Sequence, residues 1–101
     1  MRLIVMFDLP VETAQMRRAY RIFRKALINE GFIMMQESIY TRITLNRKAA
    51  ELLEERLIKK LPNTGLIQTL VVTEAQFSSM HFLIGAPSED IRNKPDRVVV
   101  I

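Results

Sequence analysis

Hydrophobic residues change their spacing several times along the chain, and each change marks the start of a new element. Residues 2–8 form a continuous apolar run rich in Ile, Val and Phe, bounded by Pro10, which is typical of a buried strand. Helical spacing follows, and Gly31 stands where the cap of that helix is expected. The apolar positions of this first helix recur at intervals of three and four residues: Met16, Ala19, Tyr20, Phe23, Ala26 and Leu27.

The middle of the chain predicts a second strand, a second helix and a turn. Residues 32–43 are aromatic and β-branched and predict one long strand, with Gln36-Glu37 as an exposed or bulged stretch in its middle. Residues 46–61 show the apolar stripe of a helix, with Asn46 as its N-cap. The sequence "PNTG" at 62–65 then provides turn chemistry.

The remaining residues predict three more strands. Residues 66–74 and 80–85 read as the third and fourth strands, and the residues between them as a short turn. A polar connector follows, and the fully apolar "RVVVI" at 97–101 predicts a last strand. We interpret the order as βαββαβ plus one extra strand, which is a ferredoxin-like α+β fold.

This interpretation makes residues 1–101 one domain, in which 86–101 form a connector and a C-terminal strand. Two helices cover only one face of the sheet, yet the first, third and fourth strands are apolar on both alternations. The simplest cover for the second face is another copy of the same sheet, so we expect a sheet-to-sheet homodimer. The last strand is expected to pair with a sheet edge of the partner protomer.

Composition narrows the compartment and the kinds of site. The chain has no cysteine, which excludes disulfides and thiolate metal sites and favours a reducing, cytoplasmic location. The N-terminal apolar run is too short for a signal peptide, and Asp8 interrupts it. No run approaches the ~18 apolar residues of a membrane span, so no membrane partner is expected.

Positive charge is concentrated in the first half of the chain. Residues 1–48 carry nine Lys/Arg and four Asp/Glu, a net charge of +5, whereas residues 49–101 carry a net charge of −1. Such an asymmetry favours a negatively charged partner that meets the first half, although a merely solvated basic surface has the same pattern. Five of these cations lie within nine residues that contain no acid: Arg17, Arg18, Arg21, Arg24 and Lys25.

These five cations spread over an arc of about 120° on the first helix, opposite its apolar face. Guanidinium groups suit phosphate oxygens, and phosphate contacts give nucleic-acid affinity without sequence readout. The alternative is a helix face that carries cations only for solubility.

Asp8 ends the first strand and allows two interpretations. Its spacing alone favours an Asx-type turn leading into the helix. If the first strand lies near a dimer axis, however, two copies of Asp8 could share a cation and support metal-assisted phosphodiester hydrolysis. Glu12 and Glu37 are the nearest other acids, and we expect both to be solvated. His81, the sole histidine, is expected to be packed or exposed in a strand rather than catalytic.

Several segments together resemble one known family. They are "VMFDLP", the arginines of "MRRAYRIFRKAL", the "GF" after that helix, "QESIYTR", "TEAQFSSMHFLIG" and the closing "RVVVI". In this order they resemble the CRISPR-associated protein two family, the small partner in spacer acquisition, over nearly the whole chain.

The resemblance implies a ferredoxin-like homodimer with metal-dependent endonuclease activity on RNA or duplex DNA. It places Asp8 at the catalytic position, as a ligand of a magnesium ion shared by the two Asp8 of the dimer. Arg17 and Arg18 map to the phosphate-contacting start of the helix. It also implies that the dimer bridges subunits of an integrase, CRISPR-associated protein one, and holds a duplex DNA protospacer. Many members have tyrosine where this chain has Phe7, so any role of that hydroxyl is absent or replaced.

Three functional hypotheses follow from these observations. The first is an adaptation protein that binds duplex DNA and carries an Asp8-based nuclease site. The second is a toxin-type endoribonuclease that acts on single-stranded RNA. The third is a non-catalytic, ferredoxin-like regulator that binds a small ligand and no polynucleotide.

Overall fold

The fold is taken from a computed structural model of the chain, which describes residues 1–86. Within these residues, four strands and three helices follow one another. The predicted connector beyond residue 86 and the predicted strand at 97–101 lie outside the described residues. The elements are β1 (Arg2–Asp8), α1 (Ala14–Asn29), β2 (Ile33–Gln36), β3 (Ile39–Ile43), α2 (Arg47–Ile58), β4 (Leu66–Val72) and α3 (Glu74–Ser78).

The four strands form one antiparallel sheet in the order β2-β3-β1-β4. β1 lies in the middle of the sheet and pairs along its length with both β3 and β4. This order, with a helix between β1 and β2 and another between β3 and β4, confirms the predicted ferredoxin-like α+β fold. The arrangement brings the C-terminal end of β1, where Asp8 lies, next to the start of β4.

The main core lies between the sheet and the two long helices. Alternate residues of β1 (Leu3, Val5 and Phe7) pack in one cluster with buried residues of both α1 and α2. Because α1 and α2 contribute to the same cluster, both helices cover the same face of the sheet. The buried helical members of this cluster are Phe23, Leu27, Ala50, Leu53 and Leu57.

Both predicted helix caps are present. The side chain of Asn46 accepts a hydrogen bond of 2.8 Å from the backbone N–H of Ala49, which satisfies one free donor at the start of α2. At the end of α1, Gly31 has a φ of +87°, and its N–H donates to the carbonyl of Ile28. The N–H of Phe32 donates to the carbonyl of Leu27, so α1 ends in a Schellman motif.

The prediction of a single long strand at 32–43 is wrong. The segment folds back on itself as the hairpin β2–β3, because the chain turns at Glu37-Ser38. Ser38 has a φ of +65°, in the left-handed region, which reverses the chain where a strand would continue. The register shifts between Met34 and Gln36, so the expected irregularity next to Glu37 is present. The hairpin supplies the second and third strands of the βαββαβ order.

Two predictions beyond β4 are also wrong. The residues expected to form a short turn form the helix α3, because Thr73 and Gln76 make a reciprocal capping box at its N-terminus. Residues 80–85 form no strand; they follow α3 as an irregular segment in which Leu83 and Ile84 are exposed. β4 already occupies the sheet edge beside β1, so it is the fourth strand.

The face of the sheet opposite α1 and α2, here called the open face, is only partly covered. Ile4 of β1 is buried there against Phe77 of α3, with Met6 and Val72 partly buried beside them. Leu66 and Leu70 of β4 remain 56% and 51% exposed. The apolar second face expected from the sequence is therefore present, and α3 covers one end of it.

Arg2 fixes α3 to the open face. Its side chain is 2% exposed, and its Nε donates to the carboxylate of Glu74 at 2.9 Å. Its guanidinium carbon also lies 4.0 Å from the centroid of the Phe77 ring, which is a cation–π contact. Thr41, in the adjacent strand, is fully buried, and its hydroxyl oxygen has no hydrogen-bond partner within the described residues.

None of the helices within residues 1–86 combines the length and the apolar character needed to cross a bilayer.

Candidate functional site

Asp8 is the last residue of β1 and lies on the open face. Its Cα is paired with that of Leu66 in β4, and strand alternation places it on the same face as Ile4 and Met6. The residues before and after it, Phe7 and Leu9, are both buried in the main core. The chain therefore presents an exposed carboxylate on a backbone that is anchored on both sides.

The carboxylate of Asp8 makes no hydrogen bond and no ion pair within residues 1–86. An Asx-type turn would require its side chain to accept a nearby backbone N–H. Other residues stabilise this loop, since the hydroxyl of Thr13 accepts from the N–H of Met16 and Arg17 bonds to the loop carbonyls. Within residues 1–86 the carboxylate of Asp8 is thus free to bind a group from outside the chain, and no contact there supports the turn interpretation.

Gly65 allows the close packing next to Asp8. It has a φ of +103°, which L side chains rarely adopt. A Cβ atom at this position would lie 2.5 Å from Cδ2 of Leu9 and 3.0 Å from the carbonyl oxygen of Asp8. Only glycine fits here, so the predicted "PNTG" turn also sets how near β4 comes to the end of β1.

Asp8 lines a depression of about 260 Å³ at this end of the open face. Three of the other lining residues carry polar side chains: Glu37 and Ser38 from the turn of the β2–β3 hairpin, and Gln68 from β4. Met6 and Ile39 are among the apolar lining residues. Glu37 is exposed, as expected from the sequence, but the hairpin turn also brings it to the same depression as Asp8, which the sequence did not indicate.

These residues suit a divalent cation that keeps most of its water ligands, and not one whose ligands all come from the protein. Within residues 1–86 there is no group of three or more His, Asp or Glu side chains placed to hold a metal ion. Magnesium keeps several of its waters and is commonly held by one or two carboxylates together with substrate phosphates. The exposed carboxylate of Asp8, which is unpaired within residues 1–86, matches this kind of coordination.

The five predicted cations of α1 fall into two groups. All five side chains are exposed. Nη1 of Arg17 donates to the carbonyls of Val11 and Glu12 at 3.0 and 3.3 Å, so this side chain is hydrogen-bonded to the loop between β1 and α1. Nε of Arg24 donates to the hydroxyl of Tyr40 at 2.8 Å.

The other three cations, Arg18, Arg21 and Lys25, make no hydrogen bond or ion pair within the described residues. At 100° per residue they lie within an arc of about 60°, in a single row along α1. We call this row the cationic ridge. The arc is half as wide as the one formed by all five predicted residues, and among the contacts of residues 1–86 it is the part of the helix whose cations remain free to bind an external anion.

His81 is exposed and lies in the irregular segment that follows α3. It is therefore not a strand residue, and it is not among the residues that line the Asp8 depression.

Comparison with known proteins identifies the family. The family model described as CRISPR associated protein Cas2 matches residues 1–80. The chain belongs to the Cas2 family. A relative from Lacticaseibacillus rhamnosus, named CRISPR-associated endoribonuclease Cas2, is 54% identical, and the match covers 100% of both chains. A relative of the same name from Ligilactobacillus salivarius is 50% identical, again over 100% of both chains.

A solved Cas2 structure supports the fold of this Cas2-family chain. The crystal structure of Streptococcus pyogenes Cas2 at pH 6.5 matches with a TM-score of 0.62 and 19% sequence identity. The match covers 82% of this chain and 99% of the other. The family resemblance found in the sequence is thus confirmed, and so is the fold.

Proposed function

We propose that this Cas2-family chain is a metal-dependent endoribonuclease of a CRISPR system, acting as a homodimer whose two Asp8 carboxylates hold one magnesium ion. The curated relatives carry the enzyme class predicted from the sequence in their names. The single observation that carries the proposal for this chain is the exposed Asp8 carboxylate, which has no partner within residues 1–86 and stands on a rigid strand end.

The open face supports the dimer. Asp8, Leu66 and Leu70 lie on it together, and the two leucines are about half exposed. Fully burying an exposed leucine is worth about 1.5–3 kcal/mol, so covering each of these half-exposed leucines with a second copy of the sheet would gain about half of that energy, on both sides of the interface. A two-fold axis that passes near the Asp8 end of this face would bring the two Asp8 depressions together, and each would then supply half of the metal site.

The chemistry divides between the metal and the chain. When bound, a magnesium ion supplies Lewis-acid polarisation of a phosphodiester and an activated water. The carboxylate of Asp8 binds that ion, and the buried Phe7 and Leu9 keep the carboxylate in position. The cationic ridge binds backbone phosphates, since guanidinium and ammonium groups neutralise phosphates without reading the base sequence. We therefore expect the protein to cleave RNA with little preference for its base sequence.

The same ridge also supports binding of duplex DNA. A net charge of +5 in residues 1–48 attracts any polynucleotide, and two-fold symmetry would double the ridge. We therefore also propose that the dimer binds a protospacer duplex and bridges integrase subunits of CRISPR-associated protein one. These two partners rest on the family resemblance and on the ridge. The regulator hypothesis, in contrast, predicts no polynucleotide binding and gives no role to the cationic ridge.

A comparison of wild type, Asp8→Asn and Glu12→Gln tests the proposal. Each protein is incubated with labelled single-stranded RNA and labelled duplex DNA, with Mg²⁺ or with chelator, and both binding and cleavage are measured. Glu12 is a matched control because it is an exposed acid that does not line the Asp8 depression. We expect Asp8→Asn to bind both nucleic acids but to lose RNA cleavage by at least ~100-fold, and Glu12→Gln to cleave like wild type.

Cleavage of RNA by wild type that is unchanged in Asp8→Asn, or unchanged in chelator, would contradict the proposed metal site. Binding of both nucleic acids without any cleavage by wild type would leave a scaffold whose function lies in the ridge. Absence of binding to either nucleic acid would support the regulator instead.

A further inference from the structure

We infer that Glu37 is a second acidic residue of the Asp8 site, and that its charge strengthens the binding of the divalent cation there. The inference rests on the proposed function and adds to it a residue outside β1. Glu37 and Asp8 line the same depression of about 260 Å³, although they are separated by 28 residues of intervening sequence. Glu37 is exposed and, within the described residues, has no ion-pair partner that would neutralise it.

The backbone holds Glu37 in a fixed relation to Asp8. The N–H of Phe7, the residue before Asp8, donates to the carbonyl of Ser38 at 3.0 Å. Met6 and Ile39 are directly paired in the same ladder. The hairpin turn is therefore attached to the strand end that carries Asp8, and the backbones of Glu37 and Asp8 belong to one hydrogen-bonded part of the sheet.

Ser38 shows that this turn has a defined shape. Its φ of +65° is uncommon for a residue with a side chain, and such a conformation persists only where surrounding contacts determine it. The hydrogen bond from Phe7 is one such contact. The position of Glu37 at the rim of the depression thus follows from the hairpin, and does not depend on a freely moving loop.

Electrostatics gives the size of the expected effect. A unit negative charge several ångströms from a divalent cation at an exposed site contributes about 1 kcal/mol, which corresponds to a ~3- to 10-fold change in affinity. Because magnesium keeps several waters, Glu37 can act on the hydrated ion without displacing them. Salt screens a contribution of this kind, so the effect should shrink as ionic strength rises.

The test measures the affinity of the full chain for Mn²⁺, a paramagnetic substitute for Mg²⁺, by electron paramagnetic resonance at low and high salt. The variants are Glu37→Gln, Glu37→Asp and Asp8→Asn, with Glu12→Gln as the matched control. We expect Glu37→Gln to weaken Mn²⁺ binding by ~3- to 10-fold at low salt and by less at high salt. Glu37→Asp should keep most of the affinity, and Glu12→Gln should lie within about twofold of wild type.

The outcomes separate this inference from the proposed function. If Asp8→Asn loses Mn²⁺ binding while Glu37→Gln equals wild type, the Asp8 site stands and the inference about Glu37 is wrong. If Asp8→Asn keeps the affinity of wild type, the proposed site itself fails, and the inference fails with it. An equal loss in Glu37→Gln and Glu12→Gln would also overturn the inference, because it would show a general charge effect.

Discussion

At the scale of single residues, the structure separates cations that are alike in the sequence. Periodicity places Arg17 and Arg18 on the same helix face, and nothing in the sequence distinguishes their roles. The fold does so, because only Arg17 reaches the carbonyls of the loop after β1. Arg18 and Arg21 project from the cationic ridge without a partner among the described residues. Candidate phosphate contacts can thus be found from sequence, whereas their division into free and occupied side chains requires the tertiary contacts.

This division predicts different salt dependences of nucleic-acid binding. Arg18→Ala and Arg21→Ala should each lower the slope of log K against log salt concentration by about one, because each removes one phosphate contact. Arg17→Ala should keep the slope of wild type and should instead lower the free energy of unfolding by ~1 kcal/mol, since it loses bonds to the loop. Fluorescence anisotropy over a salt series and urea denaturation measure the two quantities. If the slope falls equally in Arg17→Ala, the side chain of Arg17 also contacts a phosphate, and the division into two groups is wrong.

At the scale of elements, the sequence predicts β1 from its continuous apolar run, and it predicts α1 and α2 from their helical spacing and their caps. It fails at the hairpin, since residues 32–43 are apolar enough for one strand and the turn at Ser38 contains no glycine or proline. It also misses α3, a helix of only five residues that depends on a capping box and on contacts with Arg2. These failures affect the site directly, because the misassigned turn is the one that carries Glu37.

The attachment of α3 to the open face predicts an asymmetric pair of substitutions. Glu74→Gln leaves the guanidinium of Arg2 buried without its carboxylate, and should destabilise the fold by ~2 kcal/mol. Arg2→Met fills the same space without a charge and should cost less than ~1 kcal/mol. In the double variant, Arg2→Met should recover most of the loss caused by Glu74→Gln. Urea denaturation of the four proteins gives these values, and equal costs for the two single variants would argue against a buried, paired Arg2.

At the scale of the whole molecule, the proposed function assigns different roles to the two faces of the sheet. α1 and α2 cover one face and form the main core, and α1 presents the cationic ridge to solvent. The open face carries Asp8 at one end and α3 at the other, with exposed leucines of β4 between them. The proposed binding of nucleic acid and the proposed pairing of two copies therefore use different surfaces, and a substitution on one surface should leave the other intact.

Because the cationic ridge and the open face are separate surfaces, the proposed dimer can be tested by itself. Leu70→Lys places a charge on the open face, and Leu52→Lys places one on α2 at nearly the same exposure, 51% against 46%. Wild type and Leu52→Lys should sediment as dimers, whereas Leu70→Lys should dissociate ~100-fold more readily, since two leucines leave the interface. Because two copies of Asp8 are proposed to hold one ion, Leu70→Lys should also lose RNA cleavage while each protomer keeps its cationic ridge. Analytical ultracentrifugation together with the cleavage assay decides the matter: a monomeric wild type that still cleaves RNA would mean that one Asp8 is sufficient.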